Sequence, residues 1–287
     1  MSENASPEAE ILRFLRTGDH DHLFSAWPGK VLFESARLGD AALRDALIAE
    51  VARRTPHATE PAELAHLDVV AFTRTKVGPM VRGLFPSREQ EAVLDVLSHA
   101  VVFLSPANIR TVLREERWLG TAWDLANLYL GSFGAPLLGP DAPEILGLAE
   151  ETKCYVSVEY LRPSDDRFAD FIVHEAAHVF HNCRRATVGL PETRARRWLL
   201  AIAFPKRETF AYACEAYSRL LALTGDRAGR GTLLDELAAE PPLPDEGVDL
   251  AEYLDLLRDA VEARNGWQRI LNRCAPPAPA PHRTPKG

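Results

Sequence analysis

Residues 168–180, FADFIVHEAAHVF, read as a helical run that offers almost no polar face apart from His174, Glu175 and His178. A helix that is apolar nearly all round must be enclosed by other elements, so this run demands a chain large enough to build a core around it. With 287 residues, 46% of them apolar, the chain meets that demand and should fold without staples. The polar exceptions are the informative part. His174 and His178 lie four residues apart and project from one helix face, one turn above the other, and His181 continues that face. Burying two imidazoles and a carboxylate without partners costs several kcal/mol, because each polar group gives up its water. A metal ion removes that penalty by engaging the imidazole lone pairs.

HEAAH at 174–178 is an HExxH motif, the zincin signature: His174 and His178 as ligands of Zn²⁺, and Glu175 aimed at the metal-bound water as general base. A third protein ligand has to come from elsewhere. The metzincin continuation would place Gly at 181 and a ligand at 184, whereas this chain has His181 and Arg184, which disfavours that branch. Downstream, KRETFAYACEAYSRLL at 206–221 carries Glu208 and Glu215, seven residues apart and therefore on one helix face.

HEAAH followed by ETFAYACEAY resembles the gluzincin metallopeptidases of the lethal-factor and Mlc-titration-factor type, over roughly residues 154–224. The resemblance implies that Glu208, in the run Glu208-Thr209-Phe210-Ala211, is the third zinc ligand. It also implies that Glu215 is a carboxylate orienting a zinc-bound histidine; the reversed assignment, with Glu215 on zinc, stays open. It further implies peptide-bond hydrolysis by a zinc-activated water, a peptide or protein substrate held as an added strand along CYVSVEYL (154–161), and an oxyanion donor for which Tyr212, Tyr217 and Tyr155 are the candidates. His181 is either a further group behind a ligand or a helix-end histidine.

The rest of the chain supplies the expected frame. From Pro7 to Arg54 apolar residues fall at helical spacing, broken at Gly18, Pro28-Gly29 and Gly39. AHLDVVAFTRT and AVVFLSP are compatible with short strands, and SREQEAVLDVLSHA reads as a helix capped by Ser87. PANIRTVLREERWLGTAWDLANLYLGSFG gives one long or two shorter helices with Trp118, Trp123, Leu125, Leu128 and Tyr129 available for burial. GAPLLGPDAPEILG marks an internal boundary, and Val156, Val158 and Tyr160 alternate in the clearest strand, 154–161. Ser164-Asp165-Asp166 should cap a helix running to about Arg185, followed by helices over about 192–203 and 206–224. VDLAEYLDLLRDAVEARNG adds an amphipathic helix ending at Gly266, and CAPPAPAPHRTPKG is a Pro-rich tail expected to be disordered.

The expected fold is therefore α+β and predominantly helical. A mainly helical part of no recognisable chemistry spans 1–145, a zincin-like part with a short sheet spans 146–274, and the tail follows from 275. The net charge of −8, with only short pairs such as Arg53-Arg54, Arg184-Arg185 and Arg196-Arg197, argues against a nucleic-acid partner, and those pairs read as surface charge. No run approaches about 18 consecutive apolar residues and the first residues lack a signal-like core, so the expected location is cytoplasmic, away from membranes. Cys154, Cys183, Cys214 and Cys274, widely spaced, read as buried reduced thiols. Two further functions fit the same residues: a catalytically inactive zincin-fold protein that binds a regulatory partner and keeps a structural zinc, and a helical interaction protein in which HEAAH is accidental.

Overall fold

The computed structural model describes residues 6–142, 145–162, 166–193, 196–241 and 247–277. In chain order its elements are α1 (Pro7–Thr17), α2 (Leu32–Arg54), α3 (Ala62–Ala65), α4 (Val69–Leu84), α5 (Ser87–Ser98), β1 (Val101–Leu104), α6 (Ile109–Glu115), α7 (Leu119–Ser132), β2 (Gly147–Glu150), β3 (Lys153–Ser157), α8 (Phe171–Asn182), α9 (Arg207–Leu223), α10 (Arg227–Ala239), α11 (Leu250–Glu262) and α12 (Gly266–Cys274). The chain is predominantly helical with one small sheet of order β1-β3-β2. Among the described residues no helix is long and apolar enough to cross a membrane.

The chain forms two compact units that interleave in sequence: residues 1–67, 102–148 and 155–163 in one, and 68–101, 149–154 and 164–287 in the other. This differs from a contiguous division at residue 145, because α4 and α5 belong with the C-terminal helices.

In the first unit α1, α2, α6 and α7 enclose Phe14, Leu43, Leu47, Val51, Leu113, Trp123, Leu125 and Tyr129. Ser6 caps α1 and Gly18 ends it in the left-handed conformation. Gly39 breaks nothing: it lies inside α2, where an added Cβ would stand 2.3 Å from the Phe24 ring and 2.9 Å from that of Trp27, so the glycine makes room for aromatic packing. Trp118 does not join the core; it is 54% exposed at the start of α7.

In the second unit α8 packs on α9 and α4, with α11 and α12 against α9 and α5 against α4. Residues 69–75, compatible with a strand by composition, open α4 instead. The Asp68 side chain accepts a hydrogen bond from Ala71 N at 3.0 Å, and Thr73, Val77, Met80, Val81 and Leu84 are buried at helical spacing, so packing overrides β-branched propensity. Pro86, not Ser87, occupies the cap position of α5. The strand expected over 154–161 stops at Ser157 and passes into a 3-10 turn at Val158–Leu161. Cys154, Tyr155, Val156 and Ser157 are all buried, as in a strand covered on both faces, so the alternation in the sequence does not describe it. β3 is the central strand, so both its edges are hydrogen-bonded and it has no edge on which a substrate strand could be added.

Among the described residues of 192–203 the expected helix does not form. Residues 184–193 and 196–199 carry a 3-10 turn at Arg185–Val188 and are otherwise irregular, pinned by Arg185, whose guanidinium is buried, donates to Pro191 O at 2.9 Å and pairs with Glu89 at 2.8 Å. Bridges Arg184–Trp198 and Thr193–Arg196 close the loop. The Arg184-Arg185 pair is thus half interior, correcting its surface reading: backbone carbonyls and one carboxylate satisfy the buried cation. All four cysteines are buried and unbridged. The tail from residue 278 lies outside the described residues.

Removing one partner of a buried ion pair strands the other charge, at a cost of about 3–5 kcal/mol. Arg185→Met should therefore lower stability by about that amount in urea unfolding followed by circular dichroism. A midpoint equal to wild type would contradict a structural role for the pair.

Candidate metal centre

Two helices of the second unit assemble the site. The sequence suggested that α8 begins near residue 164, but it begins at Phe171. Ser164 and Asp165 lie outside the described residues, Asp166 accepts from Phe168 N at 2.8 Å in a local turn, and Asp170 provides the cap, accepting from Val173 N at 3.4 Å. The helix ends at Asn182, since Cys183 is extended. From that start, helical spacing stacks His174, His178 and His181 along one face. On α9, Glu208, Tyr212 and Glu215 recur at helical spacing on the face turned to those histidines. Glu215 meets His174, while Glu208, two turns earlier, meets both His174 and His178.

Three donor atoms converge. His174 Nε2 and His178 Nε2 are 3.2 Å apart, and Glu208 Oε2 lies 3.8 Å from the first and 3.4 Å from the second. Ligands at about 2.0–2.1 Å around a tetrahedral ion are separated by about 3.3–3.4 Å, so this triangle has the dimensions of one face of such a tetrahedron. Two imidazoles and a carboxylate are also donors that suit a divalent first-row metal, zinc among them. The residues therefore fit a bound ion: His174, His178 and Glu208 could hold it. The imidazole side chains are 11% and 13% exposed and that of Glu208 40%, so the triangle faces solvent on the glutamate side.

Behind the triangle a chain of charged groups sets the orientation of His174. Its Nδ1 lies 3.1 Å from Glu215 Oε2, so an Nδ1–H donated to that carboxylate leaves the Nε2 lone pair directed at the cluster. The other oxygen of Glu215 accepts from Asp170 N at 2.6 Å, and the Asp170 carboxylate pairs with Lys76 Nζ at 2.8 Å. Burial opposes charge on His174, but the Glu215 hydrogen bond and the charges of Glu215, Glu175 and Glu208 outweigh it and raise its pKa to about 9, so a cation taking the Nε2 lone pair displaces a proton from that nitrogen. The His178 hydrogen bond lowers the Glu208 pKa. Glu175 is buried and shifted the other way: desolvation raises its pKa against the lowering effect of His174 and His178.

The structure brings together His174, His178, Glu208, Glu215, Glu175 and Tyr212, whose ring stands edge-on to His174 at 4.6 Å between centroids. It does not bring Tyr217 to them. That ring packs on Trp267 at 4.9 Å, and its oxygen hydrogen-bonds the backbone of Gly266, where an added Cβ would come within 2.4 Å. Glu215 and Tyr217 are two residues apart on α9 and so face opposite ways. Tyr155 belongs to the first unit, where its hydroxyl donates to Glu116 Oε2 at 3.5 Å. Sequence reasoning missed Asp170 and Lys76. Asp170 carried a signal, since it is a capping residue type directly before an apolar helical run; Lys76, nearly a hundred residues upstream, carried none.

Comparison with protein-family models, curated proteins and solved structures returns no match for this chain.

The two glutamates should separate by magnitude. Glu215→Ala should weaken zinc binding about 10–100-fold, the range for removing a partner that orients a ligand, whereas Glu208→Ala, which removes a donor atom, should weaken it more. Competition against a chromophoric chelator measures both, and the opposite ranking would place Glu215 on the metal.

Proposed function

We propose that this chain is a zinc-dependent peptidase acting on peptide or protein substrates, with Glu175 as general base. The observation that carries the reading is the convergence of His174 Nε2, His178 Nε2 and Glu208 Oε2 into a three-donor face that leaves a coordination position free. The sequence resemblance to gluzincins points the same way, and the arrangement behind Glu215 supports Glu208 as the third ligand.

A zinc ion held here supplies Lewis acidity toward a scissile carbonyl and toward water. The protein does the remainder. Glu175 takes the proton of the attacking water on its carboxylate and returns it to the leaving amine, a contribution of about 10²–10⁴-fold for positioned proton transfer. Its burial beside the imidazoles keeps bulk water from competing for that proton. Tyr212, edge-on to His174, is the candidate donor to the developing oxyanion. Glu215, anchored by the Asp170 backbone and backed by Lys76, keeps His174 in one tautomer and one orientation.

Glu175→Gln should retain zinc at the wild-type stoichiometry and lose hydrolysis of a mixed peptide library by at least about 10²-fold, read by mass spectrometry of the products. Undiminished turnover in that variant would reject the mechanism. A wild type that holds zinc yet cleaves no library member would favour a metal-bearing binding protein.

A further inference from the structure

His181, one turn past His178 on α8, is 4% exposed. Its Nε2 stands 3.4 Å from His178 Nδ1, the two rings nearly perpendicular at 87°, and its own Nδ1 is buried with no hydrogen-bond partner. The other nitrogen of His178 faces His174 Nε2 at 3.2 Å and Glu208 Oε2 at 3.4 Å.

A neutral imidazole has one N–H and one bare nitrogen. If His178 gives its Nε2 lone pair to a cation, its hydrogen must sit on Nδ1, and the group within hydrogen-bond reach of that nitrogen is His181 Nε2. To accept, His181 must keep Nε2 bare and carry its hydrogen on Nδ1, the very atom that the fold leaves without a partner. A histidine that merely fills space would be replaced at lower cost by Leu or Phe, because an orphaned buried donor is unfavourable.

We propose that His181 is a positioning residue for the metal centre. By accepting the His178 Nδ1–H, it fixes the tautomer and ring plane in which His178 presents Nε2. The two imidazole ligands are then held in different ways, His174 by the carboxylate of Glu215 and His178 by a neutral imidazole. This inference rests on the metal-site reading above and deepens it.

The test compares zinc dissociation constants, by chelator competition, for wild type, His181→Leu and His181→Gln, with thermal melts of each metal-free protein beside them. Glutamine can return an acceptor near the Nε2 position; leucine cannot. The expected result is a loss of about 10–100-fold in zinc affinity for His181→Leu, recovery toward wild type in His181→Gln, and metal-free melts that do not follow that order. Zinc affinity unchanged in His181→Leu, or equally weak in both variants, would overturn the proposal. Should the variants fail to fold, long-range ¹H–¹⁵N spectra of zinc-loaded wild type decide the matter: the His181 hydrogen on Nδ1 supports it and on Nε2 overturns it. A wild type that binds no zinc would overturn the metal reading as well, so the two failures are distinguishable.

Discussion

The second unit is organised around one buried carboxylate. Glu215 on α9 accepts the backbone N–H of Asp170 at 2.6 Å and faces His174 Nδ1 at 3.1 Å, so a single side chain joins the start of α8, the first histidine and the helix opposite. An ionised carboxylate left alone in such a place would cost several kcal/mol in lost hydration. It is tolerated because both oxygens are engaged and because Lys76 neutralises the neighbouring Asp170. These contacts set the register of α8 against α9, and that register places Glu208 within reach of both imidazoles. The triangle of His174, His178 and Glu208 donors follows from the joint behind it.

The loop between the two site helices depends on a second buried charge. Arg185 reaches the carbonyls of Pro191 and Leu199 and the carboxylate of Glu89, which belongs to α5. This fixes the path from α8 to α9, which among the described residues holds only short 3-10 turns at Arg185–Val188 and Phe204–Lys206. It also explains why residues 68–101, remote from the motif in sequence, share its unit: α4 supplies Lys76 to the cap of α8, and α5 supplies Glu89 to the loop.

The sequence made the site more legible than the fold around it. His174, Glu175 and His178 declared themselves because polar groups in an apolar helical run need a reason, and Glu208 with Glu215 because seven-residue spacing puts both on one face. The helix at about 206–224 was readable from amphipathic periodicity, and so was the one over 248–266, except that it stops at Glu262 and Gly266 opens α12 instead of closing it. Residues 69–75 misled because β-branched side chains on a buried helix look like a strand until the cap at Asp68 and the packing face are seen. Residues 192–203 looked helical because nothing local reveals that Arg185 will draw the carbonyls of Pro191 and Leu199, before and within that stretch, to itself. Tyr217 was misplaced for a similar reason: its partners, Trp267 and Gly266, lie on a helix about fifty residues later. Contacts between elements far apart in sequence were the part that local pattern could not carry.

In the proposed site His174, His178 and Glu208 hold one metal ion, and zinc-edge X-ray absorption on the reconstituted, dialysed protein decides it. The expected spectrum is that of a single class of zinc with two imidazole nitrogens and otherwise oxygen ligands at about 2.0–2.1 Å. Failure to retain zinc, or a first shell containing sulfur or only one imidazole, would contradict it.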